Sequence, residues 1–242
     1  MKRLGYHTSL LTTRLSSRLP GRFIRGFHLH QSPRRTPESQ KPSSSGLIYP
    51  ESTSSNHHDL TSFLRHAERT GLDSKSTVFV GTHFEYTVAL SLSRLGFSLR
   101  RRGGSSDYGI DLLGEWTVPS SDTALRVILQ CKAVQKPGPH LVRELEGAFV
   151  GAPPGWRGPG VLGMLVTEKP ATKGIRDAVG RSRWPLCFVS CTRDGHLQQM
   201  LWNQQAEQNG LDGMGVASKY SNDGGQPRLC LTWNGRHQLD QT

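Results

Sequence analysis

The chain of 242 residues has only four cysteines, and their spacing follows no familiar disulfide or metal-binding pattern. The sequence contains no CxxC pair and no spacing typical of a secreted disulfide framework. Cys187 and Cys191 are separated by three residues and would form half of a zinc site, but the sequence supplies no second half. We therefore expect reduced, mostly buried thiols, which are typical of an interior compartment.

The first 37 residues lack Asp and Glu but contain eight basic residues, mixed with Ser, Thr, Leu and Phe. An Arg-rich, Ser-rich and acid-poor start predicts a mitochondrial presequence in residues 1–37, because such a segment forms a cationic amphipathic helix. The alternative is a disordered basic tail that contacts nucleic acid or anionic lipid. The composition favours the presequence, and with it localisation in the mitochondrial matrix.

No apolar run approaches the ~20 residues that span a bilayer, so we expect a soluble protein without membrane insertion. The formal net charge of +11 is concentrated in the leading segment. Without the eight leading cations, 22 basic residues face 19 acidic ones. Binding to nucleic acid must therefore be argued from local patches and not from the total charge.

The composition divides the rest of the chain into three parts. Residues 38–56 are rich in Ser and Pro and predict a disordered linker. Residues 57–210 predict one α/β domain, and residues 211–242 form a Gly/Asn-rich tail of unclear role. Strands alternating with helices favour a layered α/β fold. We predict helices over 60–70, 82–95, 141–150, 172–182 and 197–209, and strands over 97–101, 109–113, 125–132, 161–166 and 186–189.

Glu85 lies on the apolar face of the second predicted helix. At 100° per residue, one face of this helix collects Phe84, Val88, Leu92 and Leu95. Glu85 falls within that arc, where a carboxylate is costly unless it is paired, hydrogen-bonded, protonated or bound to a metal. An ion pair with Arg100 or Arg101 is one explanation, and a metal site is another.

Polar side chains also occur on the second and third predicted strands. Side chains alternate along a strand, so Asp111 faces away from Ile110 and Leu112. Gln130 and Lys132 likewise share one face of their strand, opposite the apolar row formed by Leu125, Val127, Leu129 and Cys131. The strands can thus bring a carboxylate, an amide oxygen and an ammonium together.

This combination suits the hydrolysis of a phosphodiester assisted by Mg²⁺ or Mn²⁺, because a divalent ion activates water and offsets charge on the phosphorus. We predict that the metal ligands are Asp111, the backbone carbonyl of Cys131, and Glu85. Lys132, about 6.5–7 Å along the strand from Gln130, is placed to hold the attacking water and the phosphate. The candidate catalytic residues are Glu85, Asp111, Gln130 and Lys132.

Three segments carry this pattern: GTHFE (81–85), GGSSDYGIDLLG (103–114) and ILQCK (128–132). Together they resemble the restriction-endonuclease-like PD-(D/E)xK superfamily, and within it the Mrr-type branch, in which Gln often replaces the acid before x-Lys. The resemblance implies a mixed central β-sheet flanked by helices, Mg²⁺-dependent cleavage of DNA, and catalytic roles for the same four residues. Gln130 removes one carboxylate and puts the metal affinity in question.

Two further segments, VRELEGAFVGAPPGW (142–156) and ATKGIRDAVGRSRWP (171–185), carry a second resemblance. They are similar to the fungal mitochondrial family called required for respiratory growth protein 7. This resemblance implies a mitochondrial protein needed for respiration. It names a growth phenotype and no reaction.

Each candidate residue also has a structural interpretation. Asp111 could shape a turn, Lys132 could be a solvated strand end, and Gln130 could satisfy a backbone group. Glu144 and Glu146 could support the site, although a solvated helix face is the simpler explanation for both. The functional alternatives are a catalytically inactive module of the same fold, which binds mitochondrial nucleic acid or a partner protein, and an assembly factor.

Two basic segments are candidates for phosphate contacts, which position a duplex without identifying its sequence. The first precedes the catalytic strand, and the second surrounds one predicted helix. The residues are Arg100, Arg101, Arg102, Lys173, Arg176 and Arg183. A solubilising helix surface, with Trp184 packed in the core, is the alternative for the second segment. We expect DNA as the partner, and a homodimer is compatible with the sequence.

Overall fold

The computed structural model describes residue 49 and residues 56–102, 109–120, 123–220 and 226–237. The predicted presequence lies outside these residues, as does the predicted linker apart from Tyr49 and Asn56. Across the described ranges, no helix has the length and apolar character needed to cross a membrane. The elements are α1 (Leu60–Thr70), α2 (Thr77–Ser93), β1 (Phe97–Arg101), β2 (Leu112–Trp116), β3 (Leu125–Lys132), α3 (His140–Gly151), β4 (Val161–Thr167), α4 (Lys173–Arg181), β5 (Leu186–Cys191), β6 (Leu197–Trp202), α5 (Gln204–Ala206), a π-helical turn (Glu207–Leu211), β7 (Met214–Lys219), β8 (Arg228–Trp233) and β9 (Arg236–His237).

The two N-terminal helices are delimited by their capping residues. Asp59 and Ser62 form a capping box at the start of α1, and Gly71 ends it with φ 65°, which confirms the predicted helix. The second helix begins five residues earlier than predicted, because the Ser76 side chain accepts a hydrogen bond from the Phe79 amide and caps it there. Gly81 lies inside the helix instead of before it.

Six strands form one mixed sheet in the order β1-β2-β3-β4-β5-β6. The pairs β1–β2, β2–β3 and β5–β6 are antiparallel, whereas β3–β4 and β4–β5 are parallel. The chain crosses between the parallel strands through α3 and α4. Every residue of β4 and β5 is buried, as expected for strands covered on both faces.

The two faces of the sheet are covered by different helices. On one face, Phe84 and Leu92 of α2 belong to the same buried cluster as Leu129 of β3. On the other face, Leu145 of α3 and Ile175 of α4 pack with buried residues of β4 and β5. The predicted mixed α/β sheet flanked by helices is confirmed at this level.

The predicted helix over 197–209 is wrong. Residues 197–202 form β6, which pairs with β5 in antiparallel register, and only residues 204–211 are helical. The spacing of Leu197, Met200 and Leu201 fits a helical period, but the neighbouring edge of β5 offers backbone hydrogen bonds that favour a strand. The second predicted strand was also misplaced: it covers Leu112–Trp116, three residues later than expected.

The C-terminal segment forms a second, three-stranded antiparallel sheet in the order β7-β8-β9. Met214 and Leu231 of this sheet are buried in the cluster that also contains α2 residues. The Gly- and Asn-rich composition gave no sign of these strands. Burial of both side chains ties this part of the chain to the main core.

Gly114 provides a test of the β1–β2–β3 packing. It pairs with Leu99 and Val127, and a Cβ added there would lie 1.9 Å from the Ser98 carbonyl oxygen. We expect Gly114→Ala to lower the free energy of unfolding by about 1–3 kcal/mol. Gly147 of α3 is the matched control, because an added Cβ meets no atom within 4 Å. Gly147→Ala should raise stability by about 0.5–1 kcal/mol.

Urea denaturation of the full chain and both variants measures these effects. A Gly114→Ala protein as stable as the Gly147→Ala protein would contradict the close approach of β1 to β2.

Candidate functional site

Asp111 lies directly before β2, beside the backbone of β3. The β2–β3 ladder begins at the pair Leu112 and Leu129. The Asp111 amide donates to the Leu129 carbonyl at 2.9 Å. Its carboxylate oxygen Oδ2 accepts from the Cys131 amide at 2.7 Å. Asp111 therefore lies at the end of the β2–β3 ladder, held against the backbone of Leu129 and Cys131.

Gln130 lies beneath α3 and is 4% exposed. A Cβ added to Gly109, whose φ is 74°, would lie 3.3 Å from Gln130 Nε2 and 3.6 Å from the Ala148 side chain. The Gln130 oxygen Oε1 is buried and has no hydrogen-bond partner among the described residues. A buried acceptor without a partner costs about 1–3 kcal/mol. A cation or an ordered water would remove that cost.

Lys132 reaches the open end of the same face. Its Nζ lies 3.2 Å from Glu144 Oε2, and the two side chains are 33% and 45% exposed. Both Lys132 and Gln130 face α3, as their shared strand parity predicts. Glu144 is exposed, as the explanation of a solvated helix face predicts, and it also pairs with Lys132.

Glu85 forms an ion pair with Arg101 on the α2 face of the sheet. Both side chains are largely buried, at 13% and 14% exposure. Arg101 also donates from Nη2 to Thr82 Oγ1 at 3.3 Å. The ion-pair explanation of this apolar-face carboxylate is confirmed, and it makes the burial of Glu85 tolerable.

The Cys131 thiol is affected by the charges of two carboxylates, Asp111 and Glu85. Its pKa is raised well above the ordinary value, first by burial and then by the charges of Asp111 and Glu85. Both carboxylates thus lie close enough to Cys131 to affect its ionisation. The predicted set is therefore divided between the two faces of the sheet. Gln130 and Lys132 face α3, whereas Glu85 lies with α2 on the other face, because alternate residues of β3 point in opposite directions.

The oxygen donors at this place are of the kind that Mg²⁺ prefers: carboxylates and an amide. Within the described ranges, no group of three or more His, Cys, Asp or Glu side chains is arranged to hold a metal. Mg²⁺ commonly uses one or two protein carboxylates and keeps several waters. The donor set and the unsatisfied Gln130 oxygen fit that mode of binding and do not fit a fully protein-enclosed metal.

The predicted phosphate-binding cations have varied surroundings. In the first segment, Arg100 stacks on the Tyr49 ring at 4.2 Å and Arg101 pairs with Glu85. The Arg102 amide donates to the Asp111 carbonyl at 2.9 Å.

In the second segment, Lys173 pairs with Asp177 at 2.7 Å, and Arg176 donates to the Ala171 carbonyl at 2.6 Å. Arg183 and Trp184 are exposed, and the Trp184 ring lies 5.0 Å from the Phe149 ring. Trp184 is therefore not a core residue, which leaves it on the surface beside Arg183.

The structure adds a polar row that the sequence analysis missed. Lys132 pairs in register with Thr167, Thr167 with Ser190, and Ser190 with Gln199. Ser190 is fully buried, and its hydroxyl has no hydrogen-bond partner among the described residues. The row crosses four strands at the carboxyl ends of the parallel ones, where open α/β sheets place ligands.

A second missed feature joins the loops above that row. Glu168 lies 3.2 Å from Arg193 and accepts from Gln135 at 3.4 Å. These contacts tie together the β3–α3, β4–α4 and β5–β6 connections. No periodicity identifies such contacts, because the residues belong to three different loops; only strand register could have suggested their proximity.

A family model described as "Required for respiratory growth protein 7" matches residues 76–124 and 118–220. An uncharacterized mitochondrial protein of Schizosaccharomyces pombe is 32% identical over 166 residues, 66% of this chain and 65% of that protein. Proteins named required for respiratory growth protein 7, mitochondrial, are each 38% identical. The Eremothecium gossypii match covers 31% of this chain and 47% of the relative, and the Vanderwaltozyma polyspora match covers 31% and 30%.

The chain thus spans less than two thirds of the length of each of these relatives. No solved structure matches it.

A histidine beside the Glu85–Arg101 pair yields a prediction about pH. His57 Nδ1 lies 2.8 Å from the Tyr86 hydroxyl, and Arg101 lies 5.7 Å from the centre of the Tyr86 ring. The pKa of His57 is lowered, first by burial and then by Arg101, with smaller effects from His66 and His58. The unfolded chain therefore binds a proton at higher pH than the folded chain. Stability from neutral His57 is present above the unfolded pKa of about 6.5 and is lost as the pH falls below it.

We expect His57→Gln to flatten the decline of unfolding free energy between pH 8 and pH 5. His140→Gln, at an exposed residue of α3 that is not among the groups acting on His57, is the control and should keep the wild-type slope. Urea denaturation across this pH range measures both. Identical slopes for wild type and His57→Gln would contradict the assigned environment of His57.

Proposed function

The chain belongs to the family described as required for respiratory growth protein 7, and we propose that it is a mitochondrial protein needed for respiratory growth that hydrolyses DNA phosphodiesters. We assign it a restriction-endonuclease-like fold, a location in the mitochondrial matrix, and dependence on Mg²⁺ or Mn²⁺. The relatives' names support the mitochondrial and respiratory parts of the proposal. The cleavage of DNA rests on the site.

One observation carries the enzymatic part: Asp111 is hydrogen-bonded to the β3 backbone on both sides of Gln130, and Lys132 lies two residues beyond Gln130 on the same strand face. This is the residue order that the resemblance to the nuclease superfamily implies. The buried, unpartnered oxygen of Gln130 supports a ligand at this position. The mixed sheet flanked by helices is compatible with the assigned fold.

The residues have distinct roles in the proposed reaction. Asp111 and Gln130 would hold the metal through oxygen atoms, with help from the Cys131 carbonyl. Glu85 lies on the opposite face of the sheet in its pair with Arg101, so it is not assigned to the metal. Mg²⁺, when bound, supplies positive charge and water of lowered pKa. Lys132 neutralises a non-bridging phosphate oxygen and keeps the water aligned with the phosphorus. Arg101 balances the charge of Glu85 while that carboxylate is buried.

A non-cleaving module is the second candidate function. Gln130 in place of a carboxylate, and the lack of a three-residue His, Cys, Asp or Glu group among the described residues, both favour it. Such a module would bind mitochondrial nucleic acid or a partner protein. Exposed Arg183 and Trp184 suit contact with a nucleic-acid strand, through a phosphate and a base respectively.

Lys132→Ala and Asp111→Asn test the cleavage directly. We expect each to reduce the Mg²⁺-dependent cleavage of duplex or single-stranded DNA about 100-fold or more, because Lys132 offsets charge at the phosphate and the Asp111 carboxylate would hold the metal. Lys136→Ala is the control: Lys136 is an exposed lysine in the next loop, without an ion pair to any described residue. The proposed nuclease activity would be refuted if wild type and both variants were equally inactive on DNA and RNA.

Complementation separates the two candidate functions. In a host that lacks the endogenous protein, we expect Lys136→Ala to restore respiratory growth and Lys132→Ala to fail. The measurement is growth on a non-fermentable carbon source, with immunoblotting to match protein levels. A Lys132→Ala allele that restores growth fully would favour the binding module, since the needed function would not require catalysis.

A further inference from the structure

The key cations of the proposed site are already neutralised by carboxylates of the protein. Arg101 is paired with Glu85, and Lys132 with Glu144. The two pairs differ in burial: the side chains of the first are 13–14% exposed, whereas those of the second are 33% and 45% exposed. The Lys132–Glu144 pair therefore faces solvent and can open at small cost.

The packing of α3 on β3 explains why Glu144 meets Lys132. Gln130 and Ala148 of α3 both lie close to Gly109. Lys132 contacts Glu144, which lies one helical turn before Ala148. Four helical residues rise about 6 Å and two strand residues about 6.6 Å, so the two spacings match. Glu144 is held beside Lys132 by the same packing that buries Gln130.

The neighbouring acid of α3 behaves differently. Glu146 accepts a hydrogen bond from Ser182 Oγ at 2.5 Å and ties α3 to the end of α4. Glu144 makes no comparable link to another helix: its ion pair is with Lys132 alone among the described residues. Its carboxylate thus occupies the position at Lys132 Nζ that a phosphate oxygen needs.

We infer that Glu144 is a positioning residue that stands in for substrate phosphate and is displaced by it. In the free protein, Glu144 holds the Lys132 ammonium at the mouth of the site. A non-bridging phosphate oxygen of the nucleic acid then replaces the carboxylate at Nζ. This inference rests on the proposed function, because it requires Lys132 to contact phosphate.

If phosphate displaces Glu144 from Lys132, both the affinity for DNA and the salt dependence of that affinity depend on Glu144. The carboxylate competes with phosphate, so Glu144→Gln should tighten DNA binding about three- to fivefold, the range of a partly exposed ion pair. When phosphate displaces Glu144, the freed carboxylate takes up a salt cation, which offsets one cation released from the DNA. Glu144→Gln lacks this uptake, so the slope of log affinity against log salt concentration should steepen by up to about 0.9.

The experiment uses the full chain and a fluorescent 20-base-pair duplex in EDTA, where Mg²⁺-dependent cleavage cannot proceed. Fluorescence anisotropy gives the affinity between 50 and 200 mM KCl. Glu144→Asp keeps the charge and should restore the wild-type salt slope. Glu207→Gln removes one charge from an exposed acid without an ion pair to any described residue, and should leave the slope unchanged. Thermal unfolding checks that each variant is folded.

The inference is overturned if Glu144→Gln binds no more tightly than Glu207→Gln, or if its salt slope equals that of wild type. A parallel cleavage assay of wild type and Lys132→Ala in Mg²⁺ tests the proposed nuclease activity separately from the role of Glu144. Lys132-dependent cleavage with an unchanged Glu144→Gln slope refutes only the role of Glu144. Absence of both cleavage and DNA binding in wild type refutes both.

Discussion

The backbone pairing of β2 with β3 is the constraint on which the candidate site depends. Leu112 pairs with Leu129, and just before this pair the Asp111 carboxylate accepts a hydrogen bond from the Cys131 amide. A register slip of one residue would turn Gln130 and Lys132 toward α2 and bring Cys131 under α3. On the other side of β2, Gly114 allows the close approach of β1.

The site combines a buried part and an exposed part with different physical roles. Burial makes unpaired polar groups costly on both faces of the sheet. On the α2 face Arg101 neutralises Glu85, and on the α3 face the Gln130 amide oxygen remains available. At the exposed end, Lys132 holds its charge in a weak pair that solvent and ligands can reach. The family name describes a growth requirement, and these side chains supply a chemical hypothesis for it.

An element of this fold could be predicted where the pattern of its own residues determines it, and not where a partner distant in sequence does. The strands Phe97–Arg101 and Leu125–Lys132 follow from alternation and match their predicted bounds, and the parity of Gln130 and Lys132 on one face held. The misplaced second strand and the missed strand Leu197–Trp202 depend on partners distant in sequence, which periodicity does not encode. For the candidate site, the sequence suggested which residues to consider. It also suggested Arg100 or Arg101 as the ion-pair partner of Glu85, without deciding between them. The pairing of Glu144 with Lys132 was not predicted, because it depends on the packing of α3.

The central claim is that Asp111 and Gln130 form one oxygen-rich cation site at the end of the β2–β3 pair. NMR of the full chain during titration with Mn²⁺ tests it most directly, since a bound paramagnetic ion broadens the signals of nearby groups. We predict that the Gln130 side-chain amide and the Cys131 backbone amide broaden first, and that Asp111→Asn removes this selectivity. Broadening confined to other surfaces, or unchanged by Asp111→Asn, would contradict the site.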